Sequence, residues 1–301
     1  MIFSKLTPVY FLLFMFLLSG CIYDDYDKCH GIRLSLKYPS DRERSKIIHI
    51  FVFDSNGKLF SVHEKSGKQV KPGVPHFIQL PEGKYTVVVW GGVQERYSFV
   101  TNGPAPARQT TSGSHLESYR MVAALDKGRN VLSQELSPVF HTSEYHIDLQ
   151  AKEVKELELD FVKNTNNIQV KTSGLPAEVP YGQLEVGIIA RNWQYHFDNS
   201  IPEDVEEITY GPYNKKVESE THIADLSVLR LIKGRKPLLR IRDGATGNIL
   251  YQRNLIELLM NLPYTDLDKE DNFEIELDFR GPTIAIKING WEVIDNNQDI
   301  S

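Results

Sequence analysis

IIHIFVFDSNGKLFSVHE, residues 47–64, decides the fold class. Ile47 to Phe53 is apolar on both faces of an extended chain, which predicts a central strand rather than a half-wet one. Asp54-Ser55-Asn56-Gly57 then supplies turn chemistry, with Gly57 able to take positive φ, and KLFSVHE returns as a partner strand. A β-hairpin with a two-faced inner strand is therefore expected here. Such a strand needs apolar layers on both sides.

The same period-two pattern extends outward in both directions. Toward the amino end, Ile32, Leu34, Leu36 and Tyr38 alternate with Arg33, Ser35 and Lys37, predicting a strand over 32–38 with one wet face. Toward the carboxyl end, Pro81-Glu82-Gly83 turns into KYTVVVWGG, a core strand ending in a bend at Gly91-Gly92. TNGPAPARQTTSGS, residues 101–114, reads as a long exposed loop. Tyr145, Ile147 and Leu149, then Leu157, Leu159 and Phe161, alternate again with polar residues. KNTNN, residues 163–167, is polar and turn-prone and is the candidate boundary.

A second strand-rich series follows: IQVKTS, QLEVGIIAR, YHF, KPLLRIRD, FEIELDF and TIAIKI, with Asn289-Gly290 before WEVI. Asn-Gly between alternating strands is a strong hairpin signal, because both residues tolerate positive φ. One helix is expected, Leu255 to Leu262, with Asn254 as its cap, Glu257 completing a capping box and Pro263 stopping it. Short strands separated by turns, with almost no helix, indicate an all-β fold of β-sandwiches. The length favours two in tandem, 31–163 and 164–301, with the short helix in the second.

The first twenty residues carry one cation, Lys5, then an apolar stretch from Val9 to Leu18, then Ser19 and Gly20 before Cys21. The apolar run is about half the length of a membrane span, so residues 1–20 read as an export signal. Leu18-Ser19-Gly20-Cys21 resembles the lipobox of bacterial lipoproteins, which implies cleavage between Gly20 and Cys21 and lipidation of Cys21. Residues 21–30 then form a tether, and acyl chains at about 0.8 kcal/mol per buried CH₂ would hold it durably. Losing Lys5 moves the formal charge from −6 to −7, which argues against a nucleic-acid partner. Cys29 becomes the one unmodified thiol, so an intramolecular disulfide and two-cysteine zinc motifs are excluded.

Chemistry has little purchase elsewhere. The nine histidines show no HExxH or HxH spacing, and the five-residue separation of His141 and His146 matches no metal motif. GxSxG, P-loop and GxGxxG signatures are missing, and no carboxylate pair stands out, so neither an enzyme nor a metal, cofactor or small-molecule substrate is expected. Asp24, Asp25 and Asp27 read as solvating the tether; Asp266, Asp268, Glu270 and Asp271 read as a solvated acidic turn. Trp90 and Trp291 are expected to pack, while Trp193 is open to either packing or sugar stacking.

The lipobox followed by CIYDDYDKC, the hairpin IFVFDSNGKL, the strand KYTVVVWGG and the ending DKEDNFEIELDF…IAIKINGWEVID, taken in order, resemble the fimbrillin-associated fimbrial anchor lipoproteins of Bacteroidales (FimB-type). The resemblance implies two transthyretin-like β-sandwich domains, an outer-membrane lipid anchor facing the cell surface, and fimbrial stalk or accessory subunits as partners. It implies a non-enzymatic tether that influences fimbrial assembly and length. Filaments of that class join by strand addition, an extended segment completing an open sheet. Strand 32–38 carries the lipid and so is expected to stay in place, with the stalk docking on the second domain; removal of 283–301 is expected to abolish filament capture. The alternative is a surface glycan-binding lipoprotein of a polysaccharide uptake system, which exposed Trp193 beside other aromatics would favour.

Overall fold

The computed structural model describes residues 30–40, 44–70, 73–101, 114–127, 129–175, 179 and 183–294. The readings made of residues 1–29, including Gly20, Cys21, Cys29 and the three tether aspartates, lie outside the described residues, as does most of the loop 101–114.

The two-faced strand is β2 (Ile47–Asp54), and its hairpin partner is β3 (Leu59–Ser66). The turn closes as its residues dictate: the Gly57 N–H donates to the Asp54 carbonyl at 2.9 Å, with Gly57 at φ +73°. The Asp54 carboxylate accepts from the N–H groups of Asn56 and Lys58 at 2.8 and 2.9 Å, an Asx-type closure. A bulge between Val52 and Phe53 adjusts the register before the turn.

β2 and β3 open a sheet of order β3-β2-β5-β9-β11-β1-β4. Its other members are β5 (Gly83–Gly91), β9 (Phe140–Thr142), β11 (Val154–Lys163), β1 (Gly31–Lys37) and β4 (His76–Gln79), while β10 (Tyr145–Leu149) pairs with β5 off that path. The sheet encloses a first core in which Ile32, Leu34, Ile50, Val87, Leu157 and Leu159 meet. Phe51, Phe53 and Trp90, on the opposite face of β2 and β5, enter a second core instead. Two-sided burial is the physical meaning of the unbroken apolar run.

Three further sheets are formed by the described residues. Six strands run in the order β16 (Asn214–Glu218), β17 (Thr221–Leu229), β12 (Thr165–Ser173), β20 (Asn272–Asp278), β21 (Ala285–Ile288) and β22 (Trp291–Val293). Five run in the order β19 (Ile249–Asn254), β18 (Leu238–Asp243), β13 (Leu184–Ala190), β15 (Ile208–Tyr210) and β8 (Val131–Leu132). Three run in the order β14 (Gln194–His196), β7 (Tyr119–Ala123) and β6 (Tyr97–Thr101). The fold is all-β with sandwiched sheets.

The second core runs continuously from Phe51 to Val293, so the early and late parts of the chain share it. β14 pairs with β7 and β8 lies parallel to β15, so each part places a strand in a sheet with the other. Phe197, just past β14, sits in an aromatic cluster with ring centroids 4.7 Å from Phe51, 5.1 Å from Tyr119 and 5.9 Å from Trp90. Residues 119–139, which carry no long alternating run, supply Tyr119, Met121, Leu132 and Val139 to this core.

The one α-helix among the described residues, α1 (Leu255–Met260), is two residues shorter than its pattern predicts. Asn254 caps it as expected: its side-chain oxygen accepts from the N–H groups of Ile256 and Glu257 at 3.1 and 3.3 Å, and its amide donates to the Glu257 carboxylate at 2.9 Å. Asn289 and Gly290 take φ +50° and +81°, as the Asn-Gly hairpin requires.

Candidate functional site

Two features of a sheet-rich chain can transmit attachment: the first strand and the sheet edges left open. β1 begins ten residues after Cys21. It lies between two neighbours, parallel to β11 from Gly31↔Val154 to Lys37↔Asp160 and antiparallel to β4 from Gly31↔Gln79 to Leu34↔His76. Ile32 and Leu34 are fully buried, while Arg33 turns outward to an ion pair with Glu156 at 2.6 Å. Its start is pinned as well. Gly31 donates its N–H to the Glu153 carbonyl at 3.0 Å, and a Cβ at Gly31, which holds φ +153°, would lie 2.1 Å from the Ile78 carbonyl oxygen. Only glycine allows β1 to begin so close to β4.

β11 leads directly into β12 through the single residue Asn164. Asn164 is fully buried, and its amide donates to the Asn199 side-chain oxygen at 2.6 Å. The strand beside β1 thus continues into the middle of the six-stranded sheet.

The open edges differ in how they are blunted. β16 has every residue exposed and carries Lys215, Lys216 and Glu218, charges that discourage further pairing. β8 is two residues long, and β19 pairs with β18 through an irregular register at Ile241/Arg242. β22 presents Trp291 and, just beyond it, Ile294, 73% and 80% exposed. Ile288 and Trp291 close a two-residue hairpin, so that pair exchanges hydrogen bonds and Glu292 turns its own N–H and C=O to the free side. Of these four edges, β22 is the least protected against pairing.

Trp291 corrects the packing expectation. Its register partner Ile288 is buried, so Trp291 is on the inward face, yet it stands at the hairpin end where the core no longer covers it. Trp90 is fully buried, its ring centroid 4.4 Å from that of His141. Trp193 is half-buried and donates its indole N–H to the Glu206 carbonyl at 3.1 Å. The three rings occupy separate elements, and no shared aromatic platform forms among the described residues.

The histidines are likewise dispersed. His141 is buried and donates from Nε2 to the Phe197 carbonyl at 2.7 Å; burial pulls its pKa down to about 4, so it is neutral near pH 7. His146 meets the Thr86 hydroxyl at 2.9 Å. Among the described residues no three His, Cys, Asp or Glu side chains converge as metal ligands would. The acidic turn is committed to cationic partners: Asp266 pairs with Lys269 at 2.8 Å, Asp268 with Arg230 at 2.6 Å, and Asp271 with Lys163 at 2.5 Å. Hydrogen bonds from Lys269 and the Asp268 N–H hold the Asp266 carboxyl below its ordinary range. Among the described residues no helix is long and apolar enough to cross a membrane.

Sequence reasoning found β1 and the β21–β22 hairpin, since both carry local signals. It missed the exposure of Trp291 and the central placement of β1, which depend on neighbours remote in the chain.

The family model of the fimbrillin-A associated anchor proteins Mfa1 and Mfa2 matches residues 25–297. Among solved structures, the chain is similar to the fimbrial anchor protein Mfa2 of Porphyromonas gingivalis, at 18% identity and a TM-score of 0.71, covering 87% of this chain and 98% of that one. It is similar to a candidate polysaccharide-binding protein of Bacteroides thetaiotaomicron, at 19% identity and a TM-score of 0.76, covering 89% and 99%. A candidate adhesin from the same organism matches at 21% identity and 0.73, covering 88% and 97%. None of the curated proteins matches. At these identities the structural likeness speaks for the fold.

Proposed function

The chain belongs to the family of fimbrillin-A associated anchor proteins, and from that premise we propose that it is a lipid-anchored, non-enzymatic base for a fimbrium on the outer membrane. The family gives the anchor role and a cell-envelope location. In the proposal Cys21, exposed by cleavage after Gly20, carries the lipid. Residues 31–163 form the membrane-side unit and 164–301 the filament-side unit, and by seeding or ending growth the protein influences fimbrial length.

The observation that carries the reading is the position of β1. An anchor whose lipid lies at its amino end cannot release its first strand and stay attached, and β1 is bonded on both sides. Residues 22–30 span about 30 Å when extended, enough to clear a headgroup layer. Tension entering at Gly31 and leaving through β12 loads the parallel β1–β11 pair along its length, so its hydrogen bonds share the load. The stalk subunit is proposed to add a strand to β22, whose outer backbone groups have no strand partner among the described residues and sit beside exposed Trp291.

Two variants test this separately. Cys21→Ala should release folded protein and shed filaments into the medium, seen by electron microscopy; a variant that stays membrane-bound and retains filaments overturns the lipid reading. Deleting 283–301 would strip Ile286, Ile288 and Val293 from the core, so the edge is better tested by Glu292→Pro, which removes one outward N–H. Filament capture should fall with membrane attachment intact; unchanged capture refutes β22 as the docking edge.

A further inference from the structure

Near the waist, where β11 passes into β12, lies a hollow of about 220 Å³. Its position follows from register: Thr165 pairs with Leu229, and the Arg230 N–H donates to the Asn164 carbonyl at 3.0 Å, which puts residues 230–232 beside the joint. The floor is apolar, formed by Ile189, Ile201, Leu231, Ile232 and Leu238. The rim is basic, with Arg191, Arg230, Arg235 and Lys236 against one lining carboxylate, Glu207, in a chain of net charge −6.

These cations are not equally committed. Arg230 pairs with Asp268 at 2.6 Å, and Arg191 approaches Glu207 at 3.9 Å. Arg235 reaches only the Ile201 carbonyl at 3.4 Å, and neither it nor Lys236 has a carboxylate partner among the described residues. Arg191 stands at the exit of β13, while Arg235 and Lys236 come from the β17–β18 connection. Cations supplied by two elements around an apolar floor are unsuited to a bare anion such as phosphate, which favours converging donors over hydrophobic surface.

We propose that this hollow binds an acidic peptide segment of a partner protein, an apolar side chain entering the floor and flanking carboxylates meeting Arg191 on one side and Arg235 and Lys236 on the other. The described strands nearest the chain's ends stop away from the hollow. β1 begins opposite Val154, the far end of β11, about 30 Å from the waist. β22 ends at Val293, level through Ile286 and Leu277 with Thr172, near the remote end of β12. The proposal does not depend on the fimbrial reading, since it follows from the hollow and its rim alone.

Titration of the full chain with acetyl-Asp-Leu-Asp-amide, followed by amide chemical shifts, tests it. Shifts are expected in residues 189–192 and 230–232, with a Kd of about 1 mM or tighter that weakens as salt rises. The double variant R235Q/K236Q, altering two exposed side chains, should weaken binding about tenfold without changing the unfolding midpoint. Replacing the probe's Leu by Gly, or both Asp by Lys, should also weaken it. Absence of shifts at these positions at about 10 mM peptide, equal binding of the Lys peptide, or indifference to the double variant overturns the proposal.

Discussion

Leu34 and Arg33 are adjacent in β1 yet predict opposite outcomes when truncated. Leu34 is fully buried in the first core, with Leu157 its register partner on one side and His76 on the other. Leu34→Ala removes three carbons, about 2.4 kcal/mol of transfer at about 0.8 kcal/mol per methylene. An unfilled cavity in so packed a site raises the total to about 3–4 kcal/mol. Arg33 instead pairs with Glu156 across exposed surface, the two side chains 45% and 61% accessible, so Arg33→Ala should cost between about 0 and 1 kcal/mol. Urea unfolding measures both. Hydrogen exchange locates the effect: β1 amides that open locally should exchange about a hundredfold faster in Leu34→Ala and nearly unchanged in Arg33→Ala. A loss below about 1.5 kcal/mol for Leu34→Ala, or equal losses for the two variants, would refute β1 as an integral core strand.

Two further outcomes follow from single residues. His141 is buried neutral, its pKa lowered from 6.5 to about 4 by desolvation, so the unfolded chain binds a proton the folded chain refuses between those values. Stability should be full above pH 6.5 and fall by about 3 kcal/mol as pH drops through that window, and His141→Gln should flatten part of the slope; burial lowers His49, His63, His76 and His222 too, and they add in the same direction. Gly92 has φ +80°, and a Cβ there would lie 2.1 Å from the Pro138 carbonyl oxygen, whereas Gly290 has φ +81° and open space around it. Gly92→Ala should therefore destabilise by several kcal/mol, roughly 4 or more, against about 1–2 for Gly290→Ala, as calorimetry would show.

Sequence determined what is local. A side chain's alternation reports the faces of its own strand, and turn residues report φ, so β1, β2–β3, β5, the capped α1 and the Asn289-Gly290 hairpin were all legible from neighbours within a few positions. So was the uncommon two-sided burial of β2, because an apolar run that ends in a hairpin turn and returns as a strand needs apolar cover on both faces. Tertiary structure decided which strands meet. That β1 lies parallel to β11, more than a hundred residues away, and that β14 joins β7, follow from closing long loops around a shared core, which no window of sequence records. The same limit explains Trp291: its pattern placed it on the correct face, and only the end of the core above it leaves the ring in water. The basic rim of the hollow likewise gathers Arg191, at the end of the strand pattern QLEVGIIAR, with Arg230 and Arg235 from residues about 40 positions away.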